Sequence, residues 1–447
     1  MGRLAVQNSL SRVLPLRTAV SSSAGLASAA INFLAAVEVA EYAGGQSAWL
    51  AILVAGVLIV FAGANFSELN GLFPSAAAIR VWIRRGVNDQ FSLASSFVYM
   101  LTVVFVIAAD AFVLGHTFSR AVPTIPALLW IVALLGLVTW SNSRGIKVAG
   151  IIQDSNAFVL LGTLMVFSVL VIVAAPHLGQ FHYFSLGHNW FEAVALGIFI
   201  FVGFEWVTPL AEEFQDFRAI PQGMFIALGL IAIAFGLFSL ALTVAFPDAG
   251  VLAHSFVPQL LVGLKALGPL GFWWMVFVTL TTAMTTFNGG LLSASRFVYA
   301  LARERALPAW FSRLNKRLVP QNALMALAIT SLVLAVLVYW SGQYLFLINA
   351  GAGVESLMYA LSSVLVMSLR RREPQRRRPF HVIGYPVVPG IVGLLFLGLG
   401  IEALLTPTGP SGFPWGMVFF LAIIVAVSIY IRWMLPKVRQ KRASRLA

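Results

Sequence analysis

Asp110, Glu205 and Glu355 each interrupt a long apolar run. A carboxylate so placed is costly unless it meets a partner, a proton or a ligand, so each is a candidate for chemistry. Asp110, in the outer half of its run, has the charge to anchor a cationic amine; its rival role is that of a helix-capping or vestibule acid. Glu205 directly follows Gly203 and Phe204. There its protonation could couple to gating, or its hydrogen bonds could hold an irregular backbone together. Glu355 follows Gly351-Ala352-Gly353, a stretch that lets backbones approach closely, and its role stays open. Phe199, Phe201, Phe204 and Trp206 crowd around Gly203. One or two of these rings could gate a pocket or cover a cation, and the others pack or face lipid. His177, His182 and His188 fall in one loop at a spacing that fits no zinc motif, so no metal role is expected of them. No nucleophile, base and orienting acid share a readable motif, and the glycines form no phosphate loop, so no enzyme is expected.

The elements that carry these residues follow from composition. Of 447 residues, 60% are apolar and only 10% charged, whereas soluble proteins carry about 25% charged residues. The chain belongs in a lipid bilayer, in one polytopic domain. It contains no Cys, which removes a disulfide framework, thiol catalysis and thiolate metal sites. The net charge of +13 would suggest nucleic acid in a soluble domain. In a membrane protein its distribution decides, and none is expected to bind here.

Apolar runs of spanning length fall at 19–38, 46–64, 92–115, 124–141, 152–175 and 191–210. Six more follow at 222–246, 270–300, 322–341, 344–369, 386–405 and 413–434, which predicts twelve transmembrane helices. An even count puts both termini on one side. Of the 29 Lys and Arg, all but Arg120 and Lys265 fall in the loops of that side. The positive-inside rule therefore predicts cytoplasmic termini and a multi-pass protein of the plasma (inner) membrane. The run Arg370 to Arg378 serves as topology signal, with an anionic-lipid or nucleic-acid patch as the rival. The N-terminal basic segment followed by Ala27-Ser28-Ala29 mimics a signal peptide, but Ser21, Ser22 and Ser23 stand where a greasy core is required. A retained first helix is expected.

Two runs make poor lipid anchors. The first carries Ser21, Ser22, Ser23, Gly25, Ser28 and Asn32; the sixth carries Gly197, Gly203, Glu205 and Pro209. Both are predicted to break, because unpaired backbone groups inside a membrane are tolerated only where they line a cavity and meet a ligand or ion. The rival is a pair of glycine-rich packing helices in a structural bundle.

Four strings carry a family resemblance. Glu68-Leu69-Asn70-Gly71-Leu72-Phe73-Pro74-Ser75-Ala76 resembles the E-L-x-x-x-F-P-x-x-G segment of the amino acid-polyamine-organocation permeases. Gly203-Phe204-Glu205, Glu212-Glu213 and Ile220-Pro221 resemble that family's helix 6 and its cytoplasmic exit. Ser295-Arg296-Phe297-Val298-Tyr299-Ala300-Leu301-Ala302-Arg303-Glu304 with Leu307-Pro308 is similar to its helix 8 end. Leu369-Arg370-Arg371, Pro374, Arg378-Pro379-Phe380, Pro386 and Pro389 match its linker between helices 10 and 11. The resemblance implies an all-α, leucine-transporter-like fold of five plus five helices in inverted repeat with two appended. The chain 1–447 would then be a single permease domain, with repeats at 15–175 and 190–370 and appended helices at 386–434. It also implies alternating access and a substrate held between helices 1, 3, 6, 8 and 10.

In the family, a Gly-Ser-Gly break in helix 1 presents amides to the substrate carboxylate, and the matching stretch here is read as Ser23-Ala24-Gly25. One glycine of that pattern is replaced by Ser, which weakens the case for holding an α-carboxylate. The substrate site implied by the resemblance is thus Ser23, Ala24, Gly25, Asp110, Phe199, Phe201, Gly203 and Phe204, with Glu205 and Glu355 for coupling or gating. Several family members place a Lys in helix 5, and the run 152–175 has none. Thr285-Thr286 resemble a hydroxyl pair that ligates sodium in related transporters, or they simply bond to carbonyls one turn back. No cofactor is expected beyond a coupling ion, Na+ or H+. The expected function is a symporter or exchanger of amino acids or related organic amines. The alternative is a polyamine or simple-amine permease with little need for an α-carboxylate, and a channel or scaffolding protein is more distant. The oligomeric state is not readable from the sequence.

Overall fold

The computed structural model describes residues 10–45, 47–175, 184, 187, 189–252, 254–407 and 413–443. His177, His182 and His188 lie outside them. Within them the chain is helical: α1 (Leu16–Ala27), α2 (Asn32–Tyr42), α3 (Ala48–Leu72), α4 (Ile79–Gly86), α5 (Asp89–Ala121), α6 (Ala127–Ser143) and α7 (Ile146–Ala174). After the loop come α8 (Trp190–Phe199), a 3-10 helix (Phe204–Leu210), α9 (Ala219–Ala245), α10 (Pro258–Arg303), α11 (Gln321–Ser341) and α12 (Tyr344–Arg372). Then α13 (Val387–Leu405) and α14 (Trp415–Ile429) lead through a π turn into α15 (Leu435–Ala443). Among the described residues 10 helical segments are long and apolar enough to cross a membrane, and the bent pair α1 and α2 makes up to 11. α6 is a shorter apolar helix of 17 residues. The protein is a multi-pass, all-helical membrane protein.

Local chemistry explains where these helices start and bend. α5, at 33 residues, is roughly 50 Å long at about 1.5 Å per residue. It begins where the Asn88 side chain accepts from the Phe91 N–H at 2.8 Å, with Asp89 at the positive end of the helix dipole. α10 begins twelve residues before the predicted start of its run. It is kinked at Leu267 and Gly268, where Gly268 adopts φ +61° and Pro269 follows. The two arms can fold together because Gly263 and Gly271 face each other. A Cβ on Gly263 would lie 2.3 Å from the Gly271 carbonyl oxygen.

Both poor anchors are interrupted. α1 and α2 meet at a 64° bend, and α8 stops at Phe199 before Gly203, at φ +103°, starts the 3-10 helix. α1 packs on α7, α9, α10 and the 3-10 helix, and α2 packs on α8. The two interruptions are therefore neighbours. α12 packs on α13 and α5, while large apolar side chains such as Ile391, Leu394 and Val425 face outward.

Candidate functional site

The interruption of the first helix is not where the sequence placed it. Ser23, Ala24 and Gly25 lie inside α1, and the break comes at Ser28–Ile31. Helix persists through Ser21 and Ser23 because their hydroxyls find partners across the fold. Ser21 Oγ donates to Asp154 Oδ1 at 2.5 Å, and Ser23 Oγ donates to the Phe204 carbonyl at 2.5 Å. Gly25 is there for space: a Cβ would sit 1.8 Å from Gln153 Nε2. Ser28-Ala29-Ala30-Ile31 form the break itself.

Asn32 ties the two interruptions together. Its side-chain amide donates to the Ala27 carbonyl at 2.6 Å and to the Ile200 carbonyl at 3.0 Å, the freed ends of α1 and α8. Asp110 serves the other side of the break, where its Oδ1 accepts from the Ala30 N–H at the start of α2. Asp110 is fully buried, and its Oδ2 makes no hydrogen bond, nor does the buried hydroxyl of Ser28. The Ile31 amide and the Thr286 hydroxyl lie close to the same carboxylate. Six residues further along α5, His116, Ser119 and Arg120 line an open cavity of about 550 Å³ together with His254 and Phe256.

A second cluster surrounds the other two acids. Glu205 accepts from Tyr359 Oη at 2.7 Å and from Tyr99 Oη at 3.1 Å. Glu355 accepts from Thr102 Oγ1 at 2.5 Å and from Trp206 Nε1 at 2.9 Å. The Tyr99 and Trp206 rings stack at 4.2 Å, and the Gly203 N–H donates to Tyr359 Oη at 3.2 Å. The two carboxyl groups share this cluster, Glu205 through Tyr99 and Glu355 through the Trp206 ring stacked on Tyr99. Phe201 packs on Gly56, and Phe204 on Gly63 and Phe66, all in α3. Phe199 is half-buried at the end of α8.

Thr285 Oγ1 donates to the Thr281 carbonyl at 2.6 Å, and Thr286 Oγ1 reaches the Gly25 carbonyl at 3.4 Å. Next to them Gln153 Nε2 donates to the Ser21 carbonyl at 3.1 Å, and Gln153 Oε1 accepts from Asn288 at 2.7 Å. Asn288 in turn accepts from Asn142 at 2.7 Å. Neutral side-chain amides thus join α1, α6, α7 and α10. Among the described residues no three His, Asp or Glu gather as metal ligands.

Sequence reasoning missed Tyr99, Thr102, Tyr359, Asn32 as a tie between helices, and the Gln153–Asn288 pair. A signal was present. Tyr99 and Thr102, three apart, and Glu355 and Tyr359, four apart, each put polar groups on one helix face within an apolar run.

The strings that carried the family resemblance meet at one end of the bundle. Glu68 Oε2 pairs with Arg370 at 2.6 Å, and Glu68 Oε1 with Arg378 at 3.3 Å. Arg296 pairs with Glu213 at 2.9 Å, both buried, and Arg80 bridges Asp89 and Glu304, each at 2.8 Å. Arg303 grips Glu212 through both oxygens. Burial pushes the Glu212 carboxyl up, but the Arg303 hydrogen bonds and the Ala76 N–H outweigh it and hold Glu212 below its usual value.

Two interrupted helices side by side, with buried carboxyl groups at the breaks and a charged cluster at one end, define a polytopic helical transport protein. The amino acid permease family model matches residues 19–446. The chain belongs to that family, within the amino acid-polyamine-organocation superfamily, whose members transport small molecules rather than catalyse reactions. It is 25% identical to the gamma-aminobutyric acid permease of Bacillus subtilis over 73% of each chain. It is 26% identical to the large neutral amino acids transporter small subunit 2 of Homo sapiens over 74% of this chain and 62% of that one. An aromatic amino acid transport protein of Corynebacterium glutamicum is 26% identical over 74% of this chain and 75% of its own.

Proposed function

We propose that this protein is a secondary active transporter that carries amino acids or related organic amines across the plasma membrane by alternating access. In this reading both termini are cytoplasmic. Twelve spans form two inverted repeats, 15–175 and 190–370, and the helices of 386–434 are appended. The observation that supports it best is the pairing of the two interruptions through Asn32, with the Asp110 carboxylate seated at the start of α2. Half-helix ends at mid-membrane depth are where transporters of this architecture bind solutes.

Proton coupling is favoured over sodium. Glu205 and Glu355 are buried carboxyl groups held by hydroxyls and an indole rather than by cations, and groups so held can take up a proton. At the Thr285-Thr286 position one hydroxyl is turned back to its own helix, and the Gln153 amide occupies the Ser21 carbonyl. Counterflow in proteoliposomes tests the transport reading, because a channel gives no acceleration by solute on the far side. Replacing sodium by choline is expected to leave uptake unchanged, while collapsing a pH gradient abolishes accumulation. Uptake that follows sodium and ignores the pH gradient would overturn the coupling assignment.

A further inference from the structure

We infer that Asp110 supplies, from the chain itself, the carboxylate held by the start of α2, so that the solute is an amine with no carboxylate beside its amino group. The inference rests on the transport reading and sharpens its substrate class. α2 is an 11-residue helix that starts inside the fold. The first-turn N–H groups bond to the carbonyls of Ala29, Ala30 and Ile31, so the Ala30 and Ile31 N–H groups just ahead of the helix, with its dipole, form the seat for an anion. In transporters with interrupted helices, this is the seat that takes the carboxylate of an amino acid substrate. Here it is occupied, because the Ala30 N–H donates to Asp110 Oδ1.

The other oxygen of Asp110 decides what the arrangement can bind. Oδ2 is buried and makes no hydrogen bond, and the Ser28 hydroxyl, two residues from Ala30, is buried and unpaired as well. A carboxylate oxygen and a hydroxyl oxygen are acceptors that suit an ammonium group, which has three N–H donors. A zwitterionic amino acid would bring its own carboxylate against the charge of Asp110. A primary amine, a diamine or an alkanolamine brings only the cation.

Matched pairs of an amino acid and its decarboxylated counterpart test this directly: leucine and isoamylamine, phenylalanine and phenethylamine, ornithine and putrescine, serine and ethanolamine. Binding to the purified full-length protein is measured by thermal shift and by titration, and transport by counterflow in proteoliposomes. The expected result is that in at least one pair the decarboxylated member binds ten-fold or more tightly than its amino acid and exchanges faster. Asp110→Asn keeps an oxygen for the Ala30 N–H but removes the charge, and is expected to weaken that amine ten-fold or more.

Amino acids that bind and exchange as well as or better than their amines would leave transport standing and overturn the role of Asp110. Unchanged amine affinity in Asp110→Asn would do the same. If no member of any pair binds or exchanges, the transport reading and this inference fall together. The matched pairs are measured on the unaltered protein, so an Asp110→Asn chain that does not fold leaves the comparison decisive.

Discussion

The charged end of the bundle and the carboxyl groups at its breaks treat ionisable residues in opposite ways. At the end, Glu68, Glu213 and Arg80 are buried and each face an opposite charge. At the breaks, Asp110, Glu205 and Glu355 are equally buried but are held by a backbone N–H, hydroxyls and an indole. Ion pairs lock an arrangement, since each charge is satisfied only while its partner stays. Carboxyl groups held by neutral donors keep capacity for a cation or a proton, which is what a binding and coupling site needs.

The contrast can be broken most severely at Arg296. Removing it leaves Glu213 buried without its cation, and Arg296→Ala is expected to cost about 3–5 kcal/mol of stability in a denaturation experiment. The double replacement Arg296→Met with Glu213→Leu is expected to recover most of that loss. If the single change costs nothing, the end of the bundle is not a lock.

Glu355→Gln sharpens the other side of the comparison. The amide can still accept from Thr102 and Trp206, so stability should fall by only about 1 kcal/mol, the scale of one altered hydrogen bond. Accumulation driven by a pH gradient should disappear while counterflow persists. Loss of both together would make Glu355 a structural residue.

Asn32→Ala removes the donor to both freed carbonyls, and each hydrogen bond is worth roughly 1 kcal/mol. Thermal unfolding should fall accordingly, and counterflow should slow more than global stability predicts, since the tie joins the two interruptions. An unaltered transport rate would remove Asn32 from the mechanism.

The smallest effect is expected at Arg303→Ala. Its side chain is 40% exposed and that of Glu212 23%, so the loss should be about 1 kcal/mol or less. Glu212 lies below its usual carboxylate value in the folded protein. Its contribution is therefore present at neutral pH and is lost as pH falls through the folded value, below the usual glutamate value of about 4.3. The difference between the parent protein and the variant should shrink over that range. A difference that persists at low pH would mean that packing rather than charge holds Arg303.

The helical runs were legible because 20 or so apolar residues in a row leave few alternatives to a membrane helix. The interrupted sixth run was legible in the same way, since Gly203 and Pro209 carry backbone consequences of their own. The break of the first run was misplaced because nothing local marks it. Ser21, Ser23 and Gly25 look weaker as helix, yet Asp154, Phe204 and Gln153 stabilise them from far along the chain. Ala27 to Ala30 look stronger, but their backbone groups are claimed by Asn32 and Asp110.

The sequence by itself determined the solvent this protein lives in, its helical elements and its family. Those depend on composition, on periodic apolar runs and on strings of residues that are neighbours along the chain. Only the tertiary structure decided that Asp110 sits just ahead of α2, that Glu205 and Glu355 meet in one cluster, and that Gln153 fills a place beside α1. Each joins positions 80 to 150 residues apart. Hydrogen bonds act over about 3 Å, so which partners meet is fixed by packing and leaves no local trace in the order of residues.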